Sequence, residues 1–171
     1  IGVGLDRNAY GNTLNELLFN KDLPLDIIYS KSILDVDDSV SDDDMIQISI
    51  GQGKAQITPM HMNMITCAIA NGGQLMKPYV VDRVENDAGV IVKQFKTSRY
   101  GSLMSEEESA ILKMLMTEVV ENGTASKLSG KDYTSAGKTG SAEYDSNGNS
   151  HAWFTGFARK LIAGTERGGD L

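Results

Sequence analysis

Ser135-Ala-Gly-Lys-Thr-Gly-Ser-Ala-Glu-Tyr144 and, beyond a short polar turn, His151-Ala-Trp-Phe-Thr-Gly-Phe-Ala158 decide how this chain folds. Both stretches have strand character, about 134–144 and 150–158. The Asp145-Ser-Asn-Gly-Asn149 segment between them is rich in residues that tolerate positive φ, which predicts an antiparallel hairpin. Within the first strand, Lys138-Thr139-Gly140 sets a cation, a hydroxyl and a glycine in a row. That order suits a strand edge gripping an anionic carbonyl compound.

Upstream of the hairpin, the sequence predicts mostly helices. Leu14, Leu17 and Leu18 have helical spacing within 8–19, and Pro24 closes that segment. An irregular acidic stretch then runs to about Asp44, and Met45 to Ile50 leads into the flexible Gly51-Gln-Gly53. Thr58 as cap, Pro59 at the first position and Asn71-Gly72-Gly73 as terminator frame a helix that is apolar nearly all round. Such a helix is buried on several sides, with Cys67 packed among Met64, Ile65, Ala68 and Ile69. Tyr79-Val80-Val81 and Val90-Ile91-Val92 flank Asn86-Asp87-Ala88-Gly89 as a second hairpin. Ser105 with Glu108 forms a capping box opening another helix, with Ile111, Leu112, Leu115, Met116, Val119 and Val120 on its apolar side and Asn122-Gly123 as its stop. Helices with antiparallel strands make an α+β fold.

Composition narrows the function. The chain has 171 residues, 40% of them hydrophobic and 23% charged, enough for one domain with a core. A formal net charge of −7 argues against nucleic-acid binding, which needs a basic stripe. Much of the acidity is local, at Asp35, Asp37, Asp38, Asp42, Asp43 and Asp44. Without the ligand order and mid-loop glycine of a calcium loop, this run reads as a solvated loop. A single cysteine rules out an internal disulfide. Two histidines, His61 and His151, with no cysteine beside them give no metal site, and no cofactor is expected.

Two chemistries compete for Gly137-Lys138-Thr139. A phosphate-binding loop needs a glycine where Asp132 stands and a helix after the threonine, and neither condition is met. Acyl transfer to a serine fits better. Lys138 supplies positive charge, the Thr139 hydroxyl binds a carboxylate, and Gly140 admits the ligand backbone where a Cβ would obstruct it. The Ser141 N–H then completes an oxyanion hole, where one donor is worth about 2.7–4 kcal/mol of barrier. Lys138, Thr139, Gly140 and Ser141 are the candidate substrate-binding residues.

Taken together, several segments resemble the C-terminal part of the transpeptidase domain of class B penicillin-binding proteins. They are Ile50-Gly-Gln-Gly53 with Ile57-Thr-Pro-Met60, Ala68-Ile-Ala-Asn-Gly-Gly73 with Lys77-Pro78, Val119-Val120 with Gly123-Thr-Ala125, and the Lys-Thr-Gly strand with its Trp-Phe-Thr-Gly partner. The resemblance implies a sheet with helices packed on it, here incomplete. It implies a D,D-transpeptidase that crosslinks peptidoglycan stem peptides, is acylated by β-lactams and works beside other cell-wall synthesis proteins. It also implies a place on the extracytoplasmic face of a bacterial membrane, held by an N-terminal anchor outside these residues.

Family members attack with the serine of a Ser-x-x-Lys motif, helped by Ser-x-Asn. Ser135-Ala-Gly-Lys138 has the first spacing but lies on a strand and uses the lysine of the Lys-Thr-Gly element, the family's third motif. No Ser-x-Asn occurs, and Tyr10-Gly-Asn12 mimics a variant of it by chance. The opening Ile1-Gly-Val-Gly-Leu5 reads as the inside of a longer chain, with the nucleophile upstream. Residues 1–158 are expected to form the domain portion and 159–171 an atypical tail. The fragment alone is expected to be inactive and to self-associate through unpaired sheet edges. A β-lactam sensor or β-lactamase-type domain, and a non-catalytic scaffold of the same fold, are the alternatives.

Overall fold

A computed structural model describes residues 1–144 and 148–160. The described chain is α+β. Four helices, α1 (Arg7–Glu16), α2 (Asp42–Ser49), α3 (Pro59–Ala70) and α4 (Glu106–Glu121), combine with three antiparallel strand pairs. These pairs are β1 (Gln74–Met76) with β4 (Arg99–Ser102), β2 (Arg83–Glu85) with β3 (Ile91–Gln94), and β5 (Tyr133–Glu143) with β6 (Ser150–Lys160). In the last pair Gly137 stands opposite Gly156 and Lys138 opposite Thr155. The turn residues 145–147 and the tail beyond Lys160 lie outside the described residues. Residues 159 and 160, assigned to the tail by sequence, continue β6 opposite Thr134 and Tyr133.

The core joins α1, α2 and α3 to the hairpin. Leu14, Met45, Ile48, Met64, Ala68, Leu75, Met116 and Ala136 belong to one buried cluster. At about 1.5–3 kcal/mol for each large apolar side chain, this burial dominates what holds the elements together. α3 starts and ends as the sequence predicts. The Thr58 hydroxyl accepts from the His61 N–H, Pro59 is the first helical residue, and Gly72 and Gly73 follow with positive φ. α4 carries its capping box, with Ser105 and Glu108 bonding reciprocally.

Five expectations need correction. α1 ends at Glu16, eight residues before Pro24, because the chain turns over at Leu18 (φ 69°) and Asn20 (φ 62°). The second half of the aspartate run is helical. The Ser41 hydroxyl accepts from the Asp44 N–H, and Asp42, Asp43 and Asp44 form the first turn of α2, where negative charge meets the positive end of the helix dipole. Arg7 and Lys54 pair with Asp42 (2.5 Å) and Asp44 (3.0 Å). Cys67 is exposed, because α3 directs His61, Met64, Ile65, Ala68 and Ile69 inward and leaves the Asn63–Cys67 side outward. On α4 only Met116 and Val120 of the apolar set are fully buried, while Ile111 and Leu115 are exposed. The β2–β3 hairpin forms, but its first strand begins at Arg83, past the valines at 80 and 81.

His61 is 1% exposed, and its Nε2 lies 2.7 Å from the Leu17 carbonyl oxygen. Nε2 therefore carries the hydrogen, and Nδ1 is buried with no partner. Burial pushes the imidazole pKa below its ordinary value, and the carbonyl hydrogen bond offsets part of this. Because the folded pKa is the lower one, the unfolded chain binds the proton more readily. The stabilising contribution is therefore complete above the unfolded value of about 6.5 and is lost as pH falls towards and through the folded value. Urea unfolding midpoints at pH 7.5 and pH 5 are expected to show a loss of stability that His61→Gln reduces. An equal loss in both proteins would place the titrating group elsewhere.

Candidate functional site

β5 holds all four sequence-derived site residues, and alternation along the strand sorts them. Ala136, Lys138 and Gly140 share one face with Trp153, Thr155 and Phe157 of β6. Gly137, Thr139 and Ser141 share the other with Phe154 and Gly156. The first face meets α3. Thr66 Oγ donates to the Met62 carbonyl (2.8 Å), so Thr155 Oγ donates to Thr66 Oγ, 2.5 Å away. The cross-strand partner of Lys138 is thereby anchored to the central helix. On the second face, the Phe154 ring crosses Gly137 and Gly156, so closely that a Cβ on Gly137 would come within 2.5 Å of it.

The free edge of β5 is where these residues converge. Lys138 Nζ donates to the Thr139 carbonyl at 2.6 Å, and Gln52 Nε2 donates to the Ser141 carbonyl at 3.1 Å. Thr139 and Ser141 have the same parity, so their N–H and C=O groups leave the strand on the same side. The side chain of Lys138 thus curls from its own face to the edge. Thr139 Oγ lies 2.6 Å from Thr124 Oγ, which follows α4. The Gly123-Thr-Ala125 segment therefore orients the hydroxyl that the sequence assigns to ligand binding.

Beside this edge lies a cavity of about 580 Å³, walled by Tyr10, Leu14, Ile48, Ile57 and Met62 on one side and by residues 138–144 with Trp153 on the other. Glu143 borders it. His151 also borders it and stacks on Tyr144 with ring centroids 4.4 Å apart. A Cβ on Gly140 would meet only Trp153 Cβ, at 3.6 Å, so the fold itself does not require glycine there.

The Ser-x-x-Lys mimic fails on geometry. Ser135 is 6% exposed and, three residues from Lys138 on a strand, faces the opposite way. Tyr10, Gly11 and Asn12 lie inside α1, with Tyr10 at the cavity and Asn12 exposed. Among the described residues, no cluster of His, Cys, Asp and Glu is arranged to hold a metal, and no helix is long and apolar enough to cross a membrane. Gln52 and Thr124 were not assigned roles by sequence. Both lay in segments that carried the resemblance.

The chain is 30% identical over 164 residues to penicillin-binding protein 3 of Bacillus subtilis, an alignment covering 92% of this chain and 23% of that protein. It is 29% identical over 101 residues to the peptidoglycan D,D-transpeptidase MrdA of Acinetobacter baumannii, covering 59% of this chain and 15% of that one. In structure it is similar to penicillin-binding protein A of M. tuberculosis, solved as an imipenem acyl-enzyme complex. The TM-score is 0.78 at 22% identity, over 88% of this chain and 34% of that one, a likeness of fold. The chain thus spans about a quarter of the length of the B. subtilis relative. Residues 4–163 match the model of the penicillin binding protein transpeptidase domain. The chain belongs to the penicillin-binding protein transpeptidase family, with its similarity to class B members.

Proposed function

We propose that this chain is the substrate-gripping portion of a serine-type D,D-transpeptidase that crosslinks peptidoglycan stem peptides and is acylated by β-lactams. In this reading Lys138, Thr139, Gly140 and Ser141 bind substrate, and residues upstream of position 1 supply the nucleophile. The observation that carries it is the free edge of β5, where a cation, an oriented hydroxyl and the Ser141 N–H line up beside the cavity. An extended acyl peptide adds to such an edge as an extra strand. Its carbonyl sits on the Ser141 N–H, where developing negative charge is stabilised. Its carboxylate lies against Lys138 and Thr139. The open space at Gly140 admits the ligand backbone. Peptidoglycan substrates place the reaction on the extracytoplasmic face of the bacterial membrane.

The test is intact mass after incubation with a penicillin. This chain alone is expected to gain no mass, whereas a longer chain extended towards the N-terminus is expected to gain one acyl group. An adduct on the 171-residue chain would show a nucleophile within it. No adduct on either would overturn the transpeptidase reading.

A further inference from the structure

Gln52 is aimed at the strand edge by the way α2 ends. Ile50 is the C-cap and Gly51 follows with φ +79°. The Gly51 N–H bonds to the Ile48 carbonyl (2.9 Å) and the Gln52 N–H to the Gln47 carbonyl (2.9 Å). These two bonds make a Schellman motif, which fixes the direction in which the chain leaves the helix. Gly53 is left-handed as well, at φ +72°. Gln52 is thus set between two glycines in a defined loop. Its carboxamide reaches across 89 residues of sequence to Ser141.

The bond it makes there is one that a ligand needs. In an antiparallel ladder, a residue whose C=O accepts from the Ser141 N–H offers its own N–H to the Ser141 C=O. That acceptor already holds the Gln52 amide. From this geometry we infer that Gln52 is a specificity-determining residue. Its carboxamide stands in for the backbone N–H of an incoming acyl peptide and must be displaced by it. The inference rests on the proposed function, since it assumes that acyl peptides pair with this edge.

Competition of this kind has a defined signature. A ligand bearing the N–H exchanges one hydrogen bond for another and gains little. A ligand lacking the N–H leaves Gln52 in place and loses little. With Gln52 removed, the first ligand gains a whole bond and the second leaves a carbonyl unpaired. Gln52 therefore weakens binding of N–H-bearing peptides and blunts discrimination against those without.

The experiment is an NMR titration of this chain, with the Ser141 amide as reporter. The ligands are N-acetyl-D-alanyl-D-alanine and its analogue methylated on the nitrogen of the first D-alanine. Gln52→Ala is expected to bind the parent dipeptide about fivefold tighter than the unsubstituted chain, the scale of one net hydrogen bond. The preference for parent over methylated ligand should rise about tenfold. Gln52→Met, of similar length but with no donor, should behave like Gln52→Ala and guards against a loop collapse peculiar to alanine. Equal or weaker binding of the parent dipeptide to both variants would overturn the inference while leaving the binding edge intact. Binding to none of the three proteins would overturn the proposed edge, and the inference with it.

Discussion

Gly11→Ala is expected to destabilise the chain by about 2–3 kcal/mol, although alanine normally improves a helix interior by about 1 kcal/mol. The sign reverses because α1 lies backbone to backbone on the segment around Val36. A Cβ at position 11 would stand 2.1 Å from the Val36 carbonyl oxygen and 3.3 Å from its carbon. Neither partner is the tip of a flexible side chain that can swing aside. Gly11 is buried in the middle of α1, and Leu14 and Val36 on either side of the contact are core residues. Relief therefore requires moving α1 away from the cluster it helps to close. For a domain of this size the melting temperature should fall by roughly 5–10 °C. Gly101→Ala in β4 is the control. A Cβ there meets nothing within 4 Å, so melting is expected to stay the same or rise slightly. If Gly11→Ala melts at or above the unsubstituted chain, α1 does not approach Val36 so closely.

The same contrast between local and long-range determinants decides what the sequence could reveal. The Thr58 cap, Pro59 and the Gly72-Gly73 stop all fall within the stretch 58–73, and α3 forms as its sequence indicates. The β5–β6 pair was legible for the same reason, to within two residues at its ends. α2 carried an equally local signal, since Ser41 before three aspartates is a helix start. Reading the aspartates as one solvated run hid that their second half lies on a helix N-terminus. Burial was harder. Cys67 lies in a helix apolar nearly all round, and only the positions of its neighbours decide which side faces out. The candidate site could be named because Lys138 to Ser141 are consecutive. Their partners could not, because Gln52 and Thr66 each lie 89 residues from the residue they hold.

Lys138→Ala should then separate gripping from folding. Among the described residues no carboxylate forms an ion pair with Lys138; its ammonium bonds to the Thr139 carbonyl at an exposed strand edge. Losing an exposed side chain whose one bond is to its neighbour's carbonyl should change melting of this chain by no more than about 2 °C. Acylation is a different matter. Under the proposed function, in a longer chain extended towards the N-terminus, the ammonium is the positive group beside Thr139 that would meet the ligand carboxylate. Truncating one partner of a desolvated charge pair costs about 2–5 kcal/mol, so the second-order rate of acylation by a penicillin should fall on the order of 10²–10³-fold. Lys138→Arg keeps the charge but replaces a compact ammonium with a planar fork, and should recover part of the rate. Added salt should slow acylation of the unsubstituted longer chain more than that of its Lys138→Ala variant, since screening acts on a charge the variant lacks. A rate within threefold of the original, with unchanged salt dependence, would mean that the carboxylate is held elsewhere. The cation, the hydroxyl and the Ser141 N–H would then be neighbours on the strand without acting as one site.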